Sequence, residues 1–220
     1  CHRMLRTAFP VNVRTDSATF DIQYGNVKRP THRNTSWDMA RFEVAAQKYV
    51  DLSDHDKGVA LLNDCKYGHK VLENVIDLNL LRAPTYPDPD ADQGEHRFCY
   101  VLYPHCNDFL QSDVIEKAHQ LNQAPILFPG KSQSELKPPV IVQGAGIGLE
   151  VLKRAEKEKC WVVRMVERRG RTSKAMVELT DSWCHLQETD LMEWNDAEKL
   201  LSGPIELDFK PFQIRTFKIK

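Results

Sequence analysis

The sequence predicts a mainly β protein built from two β units, and three observations support this fold class. Apolar and polar residues alternate over many short stretches, as in strands with one buried face. Turn-forming residues and prolines separate these stretches at short intervals. Only residues 108–122 keep clear helical spacing, and a linker-like stretch, residues 132–139, follows them. We therefore expect two β units with one short helix between them.

The amino-acid composition limits the classes of partner that this chain can bind. Of the 220 residues, 41% are hydrophobic and 28% are charged, and the net charge is −1. The 30 basic and 31 acidic side chains nearly cancel, so the chain lacks the basic surface that nucleic-acid binding requires. No apolar run approaches the roughly 20 residues that span a bilayer. We expect an ordinary soluble chain that binds neither nucleic acid nor membrane.

The six cysteines indicate a reducing, cytoplasmic setting. They are too few for a disulfide scaffold, and most lie in apolar runs, where we expect buried free thiols. The chain opens on Cys1 without an initiator methionine, and it alternates like a strand soon afterwards. We expect it to be a piece of a longer protein.

Residues 1–82 predict several strands in order. Residues 8–26 alternate and indicate a hairpin that turns near residues 15–17. Residues 29–38 form a polar loop, and residues 41–52 fit either a helix or a strand. Residues 58–62 indicate a short buried strand.

The clearest strand is predicted over residues 74–82, where Ile76, Leu78 and Leu80 share one face. Continuing this alternation places Arg82 on the apolar face at the strand end. A guanidinium there needs a fixed partner. Two interpretations stay open: Arg82 is presented to a ligand, or it forms a salt bridge within the following loop, to Asp88, Asp90 or Asp92.

A polar loop of about fifteen residues follows Arg82, and it carries three prolines, Pro84, Pro87 and Pro89. Proline restricts the backbone, and long ordered loops in compact domains are often functional. Residues 98–103 are apolar on both faces, so we expect a strand inside a sandwich. The helix over residues 108–122 is expected to begin with Asn107 or Asp108 as its cap.

The last part of the chain predicts five short strands, which suit a small β-sandwich. Turns separate them along the sequence. The predicted strands are residues 161–167, 174–180, 185–194, 205–209 and 212–219.

A glycine-rich stretch, residues 140–149, resembles a dinucleotide-binding turn, with a possible helix at 150–156 and an acidic Glu167 about twenty residues on. Leu149 occupies the position that should be glycine or alanine, and a series of short strands follows rather than further βαβ units. We interpret the glycines as a flexible entry to the small sandwich.

Other catalytic and metal-binding patterns are lacking. The sequence contains no CxxC, HExxH or GxSxG motif. Residues 88–95 superficially resemble a calcium loop, but Pro89 and the offsets of the glycine and acid do not fit. We expect no metal site and no catalytic group within this chain.

Ten ordered blocks resemble the C-terminal region of glycoside hydrolase family 38 α-mannosidases, in the branch with cytosolic, vacuolar and bacterial members. They cover nearly the whole chain. The blocks are RPTHRNTSWD (29–38), RFEV (41–44), GVALLND (58–64), KYG (66–68), LLRAP (80–84), PD (87–88), ADQGEH (91–96), YPH (103–105), LKRAE (152–156) and PFQIRT (211–216).

This resemblance implies that residues 1–138 are part of a large, galactose-mutarotase-like β-supersandwich and that residues 139–220 form the small C-terminal β-sandwich. It implies a retaining mannosidase whose two carboxylates and zinc ligands lie in an N-terminal domain outside this sequence. The implied partners are a mannose-containing glycan or glycoside and that domain, and a homo-oligomer is possible.

The resemblance also implies that Arg82 binds substrate. The loop residues Asp88, Asp92, Gln93, Glu95 and His96 would support one wall of the active site, and Arg29, His32 and Arg33 would be structural. From a different functional class, a free-standing carbohydrate-binding β module is the alternative, and a nucleotide-binding protein comes third.

Overall fold

A computed structural model describes residues 3–131, 138–180 and 183–220. It is mainly β, as predicted: the described residues form seventeen strands and two short helices. The chain divides into two compact units, Cys1–Leu127 and Phe128–Lys220. The predicted boundary between residues 138 and 139 stays a prediction, and most of the predicted linker lies outside the described residues. Within the described ranges, no helix is long and apolar enough to cross a membrane.

The first unit contains two antiparallel sheets and both helices. One sheet has the order β1-β8-β7-β4 and the other β3-β2-β5-β6-β9. The helices are α1 (Ser36–Ala40) and α2 (Val114–Asn122). The strands are β1 (Leu5–Pro10), β2 (Ser17–Ile22), β3 (Gly25–Pro30), β4 (Val44–Ala45), β5 (Tyr49–Ser53), β6 (Lys57–Asn63), β7 (Gly68–Leu72), β8 (Val75–Leu81) and β9 (Tyr100–Cys106).

The inner faces of these two sheets pack into one core. Ile76, Leu78 and Leu80 of β8 are buried there, which confirms the face predicted for this strand. Side chains alternate along a strand, so Tyr49 of β5 points to the face of its sheet that lies away from this core. On that face, Val114 and other apolar side chains of α2 pack with Tyr49 in a second apolar cluster.

The predicted hairpin over residues 8–26 is wrong. β1 pairs with β8, whereas β2 pairs with β3 and β5, so the two strands lie in different sheets. Val11 and Val13, which connect them, are buried in the core between the sheets. Burying these two side chains takes the chain from one sheet to the other, so a local turn does not form.

The predicted polar loop at residues 29–38 contains a helix. α1 begins after Thr35, whose Oγ1 accepts a hydrogen bond from the backbone N–H of Asp38 (3.1 Å). The Asp38 carboxylate in turn accepts from the backbone N–H of Thr35 (3.1 Å). This reciprocal capping box is readable from the sequence TSWD. The undecided segment 41–52 is extended and contributes β4 and β5.

Two further predictions in this unit are wrong. α2 begins at Val114, six residues later than predicted, because Asp108 accepts from the N–H of Gln111 (3.0 Å) and closes a separate turn. The N-cap of α2 is Asp113. β9, predicted inside a sandwich, is the edge strand beside β6.

The second unit is a small β-sandwich with sheets of order β10-β13-β16 and β11-β12-β17-β14-β15. Their inner faces share one apolar core, which includes Val163, Phe209 and Phe217. The strands are β10 (Val140–Gln143), β11 (Ile147–Arg154), β12 (Trp161–Glu167), β13 (Ser173–Leu179), β14 (Leu186–Thr189), β15 (Asp196–Leu201), β16 (Ile205–Phe209) and β17 (Ile214–Ile219).

The secondary structure of the second unit excludes a dinucleotide-binding turn at residues 140–149. The stretch after the glycines is strand β11 rather than a helix. Glu167 is fully buried, and its carboxylate accepts backbone hydrogen bonds from Arg169 (2.8 Å), Gly170 (2.7 Å) and Phe212 (3.0 Å). The acid therefore fixes two turns of the sandwich instead of facing a ligand.

The cysteines differ from expectation in their burial. None of the five in the described ranges forms a disulfide, and only Cys160 is buried. The other four are exposed: Cys65, Cys99, Cys106 and Cys184.

Candidate functional site

The proline-containing loop leaves β8 at Arg82, and Asp92 closes it at its base. The Asp92 carboxylate accepts hydrogen bonds from the backbone N–H groups of Arg82 (3.2 Å) and Ala83 (2.8 Å). Ala83 and Asp92 both have positive φ, at 47° and 62°. These conformations are uncommon for residues other than glycine, so the two hydrogen bonds hold a specific loop geometry.

The Arg82 side chain is exposed rather than buried on the apolar face. Among the described residues its guanidinium forms no ion pair with Asp88, Asp90 or Asp92. The salt-bridge interpretation is therefore wrong, because Asp92 accepts from backbone N–H groups instead. The strand ends at Leu81, and beyond it the alternation no longer determines where a side chain points.

The other predicted loop residues hydrogen-bond mainly to one another. Asp88 accepts from the backbone N–H of Asp90 (2.9 Å), and Gln93 donates to the Asp90 carboxylate (2.9 Å). His96 Nε2 donates to the carbonyl of Asp92 (2.9 Å). These three contacts shape the loop from within.

Glu95 differs from these residues. It pairs with Arg97 at 2.7 Å, and both side chains are largely exposed. Solvent screens such a pair, so it contributes little to stability.

A cleft of about 500 Å³ lies beside the first turn of the loop. Arg3, Arg82 and Tyr86 are among its lining residues, and no acidic residue lines it. The side chains of these three residues can donate hydrogen bonds to hydroxyl or anionic oxygens of a ligand. Arg3 and Tyr86 were not predicted as site residues. Tyr86 stands between two of the loop prolines, which is the one sequence signal for it. The cleft is lined by Arg3, Met4, Arg82, Ala83, Pro84, Thr85 and Tyr86.

A charged cluster on the same sheet adjoins this cleft through Met4, whose sulfur lies 3.6 Å from Arg6. Arg6 pairs with Glu43 and, at 2.8 Å, with Asp77. Burial lowers the Arg6 pKa, but the hydrogen bonds to both carboxylates outweigh this effect and raise it. The three residues come from separate segments, so sequence spacing gives no signal for the cluster.

A second polar cluster is buried beneath α2. His105 Nε2 lies 2.8 Å from Asp51 Oδ1, and Ser53 donates to the other carboxylate oxygen (2.7 Å). The carboxylate stands between the imidazole and the hydroxyl. Both the histidine and Ser53 hydrogen-bond to Asp51 rather than to each other, so the cluster lacks the base–hydroxyl hydrogen bond of an activated nucleophile.

The block at residues 29–38 is held by local contacts. The Arg29 guanidinium lies over the Phe20 ring at 5.8 Å, and His32 lies 3.8 Å from the Asp38 carboxylate. Arg33 is exposed. The cavity that these side chains help to line holds only about 20 Å³, which is room for a water molecule but not for a sugar ring.

No metal centre is found in the part of the chain that the structure describes. These residues contain no group of three or more histidine, cysteine, aspartate or glutamate side chains placed to hold an ion. The zinc that the resemblance implies is expected to bind in an N-terminal domain outside this sequence.

Comparison with known proteins places these features in context. Residues 1–90 match the model of the "Glycosyl hydrolases family 38 C-terminal domain", and residues 146–217 match that of the "Glycosyl hydrolases family 38 C-terminal beta sandwich domain". Together the two matches include most of the chain.

Curated relatives show the same similarity. Alpha-mannosidase 2C1 of Mus musculus is 41% identical over 98% of this chain and 22% of its own length. Alpha-mannosidase of Saccharomyces cerevisiae is 34% identical over 99% of the chain and 22% of its own length. The chain thus spans about a fifth of these relatives.

A solved structure shares the fold. The crystal structure of an alpha-mannosidase from Enterococcus faecalis V583 superposes with a TM-score of 0.78 at 24% identity. The match covers 99% of this chain and 26% of that one.

Proposed function

The chain belongs to glycoside hydrolase family 38, and we propose that it is the non-catalytic C-terminal part of a retaining α-mannosidase. The single observation that carries this proposal is the extent of the match. Nearly all of the chain aligns with α-mannosidases, yet it spans about a fifth of their length. The remaining four fifths would precede it and contain the catalytic machinery.

The chemistry of a retaining glycosidase supports this division of roles. Such an enzyme needs two carboxyl groups about 5–5.5 Å apart across the scissile bond. The cleft beside Arg82 has no carboxylate in its lining. In our proposal, the nucleophile, the acid and the zinc ligands lie outside this chain, and the zinc would bind the mannose hydroxyls when present.

The role of this chain would be to complete one wall of the active site. Arg82 would donate hydrogen bonds to the bound sugar or glycoside, because its guanidinium is exposed and has no ion-pair partner among the described residues. Asp92 would hold the backbone at Arg82 and Ala83 in place. Gln93, His96 and Asp88 would support the rest of the loop, with Glu95 at its exposed side.

We also propose a cytoplasmic setting. None of the five described cysteines forms a disulfide, which suits a reducing compartment.

A free-standing carbohydrate-binding module is a second candidate, favoured by one observation. A cleft of about 430 Å³ in the second unit is lined by Trp161 and Trp183, and aromatic rings offer apolar faces to sugars. Titrating the chain with methyl α-mannoside and following tryptophan fluorescence tests this candidate. Saturable binding that Trp161→Ala abolishes would favour it.

The first proposal is tested by comparing the full-length protein with this chain on an aryl α-mannoside in the presence of zinc or cobalt. We expect the full-length protein to release the aryl group and the isolated chain to remain inactive while folded by circular dichroism. Activity in the isolated chain would contradict the assigned non-catalytic role.

A further inference from the structure

The strand β9 combines an apolar sequence with an exposed position. All seven of its residues pair with β6, from Tyr100 opposite Asn63 to Cys106 opposite Lys57. Its other edge has no partner strand among the described residues. Tyr100, Val101 and Leu102 are 38%, 37% and 43% exposed. Since consecutive side chains point to opposite faces, both faces of this strand are partly open to solvent.

The edge strands β3, β4 and β15 carry protecting features that β9 lacks over residues 100–103. β4 has only two residues, and β3 contains Lys28 and Arg29 and ends in a proline. β15 in the second unit has Asp196, Glu198 and Lys199. Charge, proline and short length are the usual means of preventing edge-to-edge association. The sequence YVLY of β9 instead has the pattern of a strand with neighbours on both sides.

Pro104 indicates which backbone groups face the open edge. Proline has no N–H, and within a sheet it occurs where its nitrogen faces away from the neighbouring strand. Pro104 lies opposite Val59 of β6. Successive residues of a strand direct their N–H groups to opposite edges. The N–H groups of Tyr100 and Leu102, four and two residues before Pro104, therefore also point to the open edge. This edge can therefore offer two donors and the matching carbonyl groups to another strand.

We infer that, in the full-length protein, a β-strand from the polypeptide that precedes this chain pairs with the open edge of β9 and covers Tyr100, Val101 and Leu102. The inference rests on the proposal that the chain is the C-terminal part of a longer protein. The relatives are nearly five times as long as this chain, and both matched models are C-terminal domains. The preceding polypeptide is thus the largest source of strands, and its attachment gives it a high effective concentration at this edge.

A second copy of the chain is a weaker occupant. Pairing of β9 with itself would contribute one four-residue apolar stretch from each copy. Specific and stable interfaces bury roughly 1,200–2,000 Å² in total, far more than such a contact provides.

Amide hydrogen exchange of the full-length protein, followed by mass spectrometry, tests the inference. We expect the amides of Tyr100 and Leu102 to exchange on the order of 100-fold more slowly than unprotected amides, close to those of β6. This protection should be the same at high and low protein concentration. Rapid exchange at both positions would overturn the inference, and protection that disappears on dilution would overturn the assigned occupant in favour of a second copy.

A matched pair of variants of the full-length protein provides the second readout. Leu102→Lys introduces a charge at the proposed strand junction and should lower the thermal midpoint and speed exchange in β9. Leu200→Lys makes the same change on the edge strand β15, where Leu200 is 49% exposed, and should alter neither. Equal effects of both variants would contradict the inference. If Leu102→Lys does not fold, the exchange rates of Tyr100 and Leu102 in the wild-type protein still test the inference.

Neither readout depends on mannosidase activity. If β9 is protected from exchange but the protein does not cleave α-mannosides, the proposed function is contradicted and the strand pairing is supported. If the protein is active but β9 exchanges rapidly, the strand pairing is contradicted and the proposed function is supported.

Discussion

His105 of β9 reaches across Gly58 of β6 and pairs with Asp51 of β5, with 2.8 Å between Nε2 and Oδ1. The two side chains are 3% and 0% exposed. The other ring nitrogen faces the carbonyl of Cys106 at 3.2 Å. Since both ring nitrogens face oxygen acceptors, this geometry favours the protonated imidazole. The pair links three adjacent strands beneath α2.

The first prediction concerns this pair. Burial lowers the pKa of His105, but the hydrogen bond to Asp51 and its charge outweigh burial, and the pKa is raised above 6.5. The stabilisation is then complete below about pH 6.5 and is lost as pH rises through the raised folded-state value. Asp51→Asn should lower the free energy of unfolding by about 3 kcal/mol at pH 6.

Urea denaturation of both proteins between pH 6 and pH 9 measures this effect. The difference between wild type and Asp51→Asn should shrink as pH rises. A difference that is constant across this range would show that the charge of His105 does not contribute.

Gly58 gives the second prediction. A Cβ atom at this position would clash with the His105 ring and lie 2.6 Å from Cβ of Ser53. Gly58→Ala should therefore destabilise the protein by about 1–3 kcal/mol. The same substitution in a His105→Ala background should be less harmful, because the ring is absent. Additive losses in the double variant, measured by urea denaturation, would contradict this explanation.

His69 shows the opposite pH dependence. It is fully buried, and burial lowers its pKa to about 4. Nδ1 donates to the Tyr67 carbonyl at 3.1 Å, and Nε2 faces the amide nitrogen of Asn63 at 3.4 Å, so the neutral ring fits the site. The stability that the neutral ring contributes is fully present above about pH 6.5, the pKa of histidine in the unfolded chain, and it is lost as pH falls toward 4.

The third prediction follows from this site. Between pH 7 and pH 4 the protein should lose about 3 kcal/mol of stability through His69 alone. His69→Gln should remove that part of the acid sensitivity, although it lowers stability at pH 7. An unchanged acid profile in denaturation experiments would show that another group is responsible.

Asp92 provides the fourth prediction. Asp92→Ala removes the acceptor for the N–H groups of Arg82 and Ala83. Both amides should exchange with solvent at least about tenfold faster, while the thermal midpoint changes little because the loop is exposed. Asp90→Ala, further along the loop, is the matched control and should not affect these two amides. Unchanged exchange in Asp92→Ala would contradict its role as the base of the loop.

Local sequence patterns predicted much of the fold. Strict alternation identified β8 and β16, where one face is buried and the other is half-buried in β8 and exposed in β16. Long-range pairing could not be predicted in this way. Nothing near β1 indicates that it pairs with β8, about seventy residues later.

For the candidate site too, features within one segment could be predicted from the sequence, whereas contacts between distant segments could not. The proline loop and Arg82 were identified from the chain itself and from the resemblance. The Asp51–His105 pair was not, because its members are 54 residues apart and meet only when β5, β6 and β9 assemble. The position of β9 was mispredicted since its apolar pattern matches an inner strand, whereas in this chain it is an edge.

The most direct measurement of the central claim, that this chain completes an α-mannosidase site through Arg82, is kcat/KM of the full-length protein on an aryl α-mannoside. Wild type should be active, and Arg82→Ala should lower kcat/KM by about 100-fold, as when one preorganised donor is removed. Arg97→Ala, an exposed arginine of the same loop, is the control and should retain full activity. An inactive full-length protein, or equal rates for Arg82→Ala and wild type, would contradict the account.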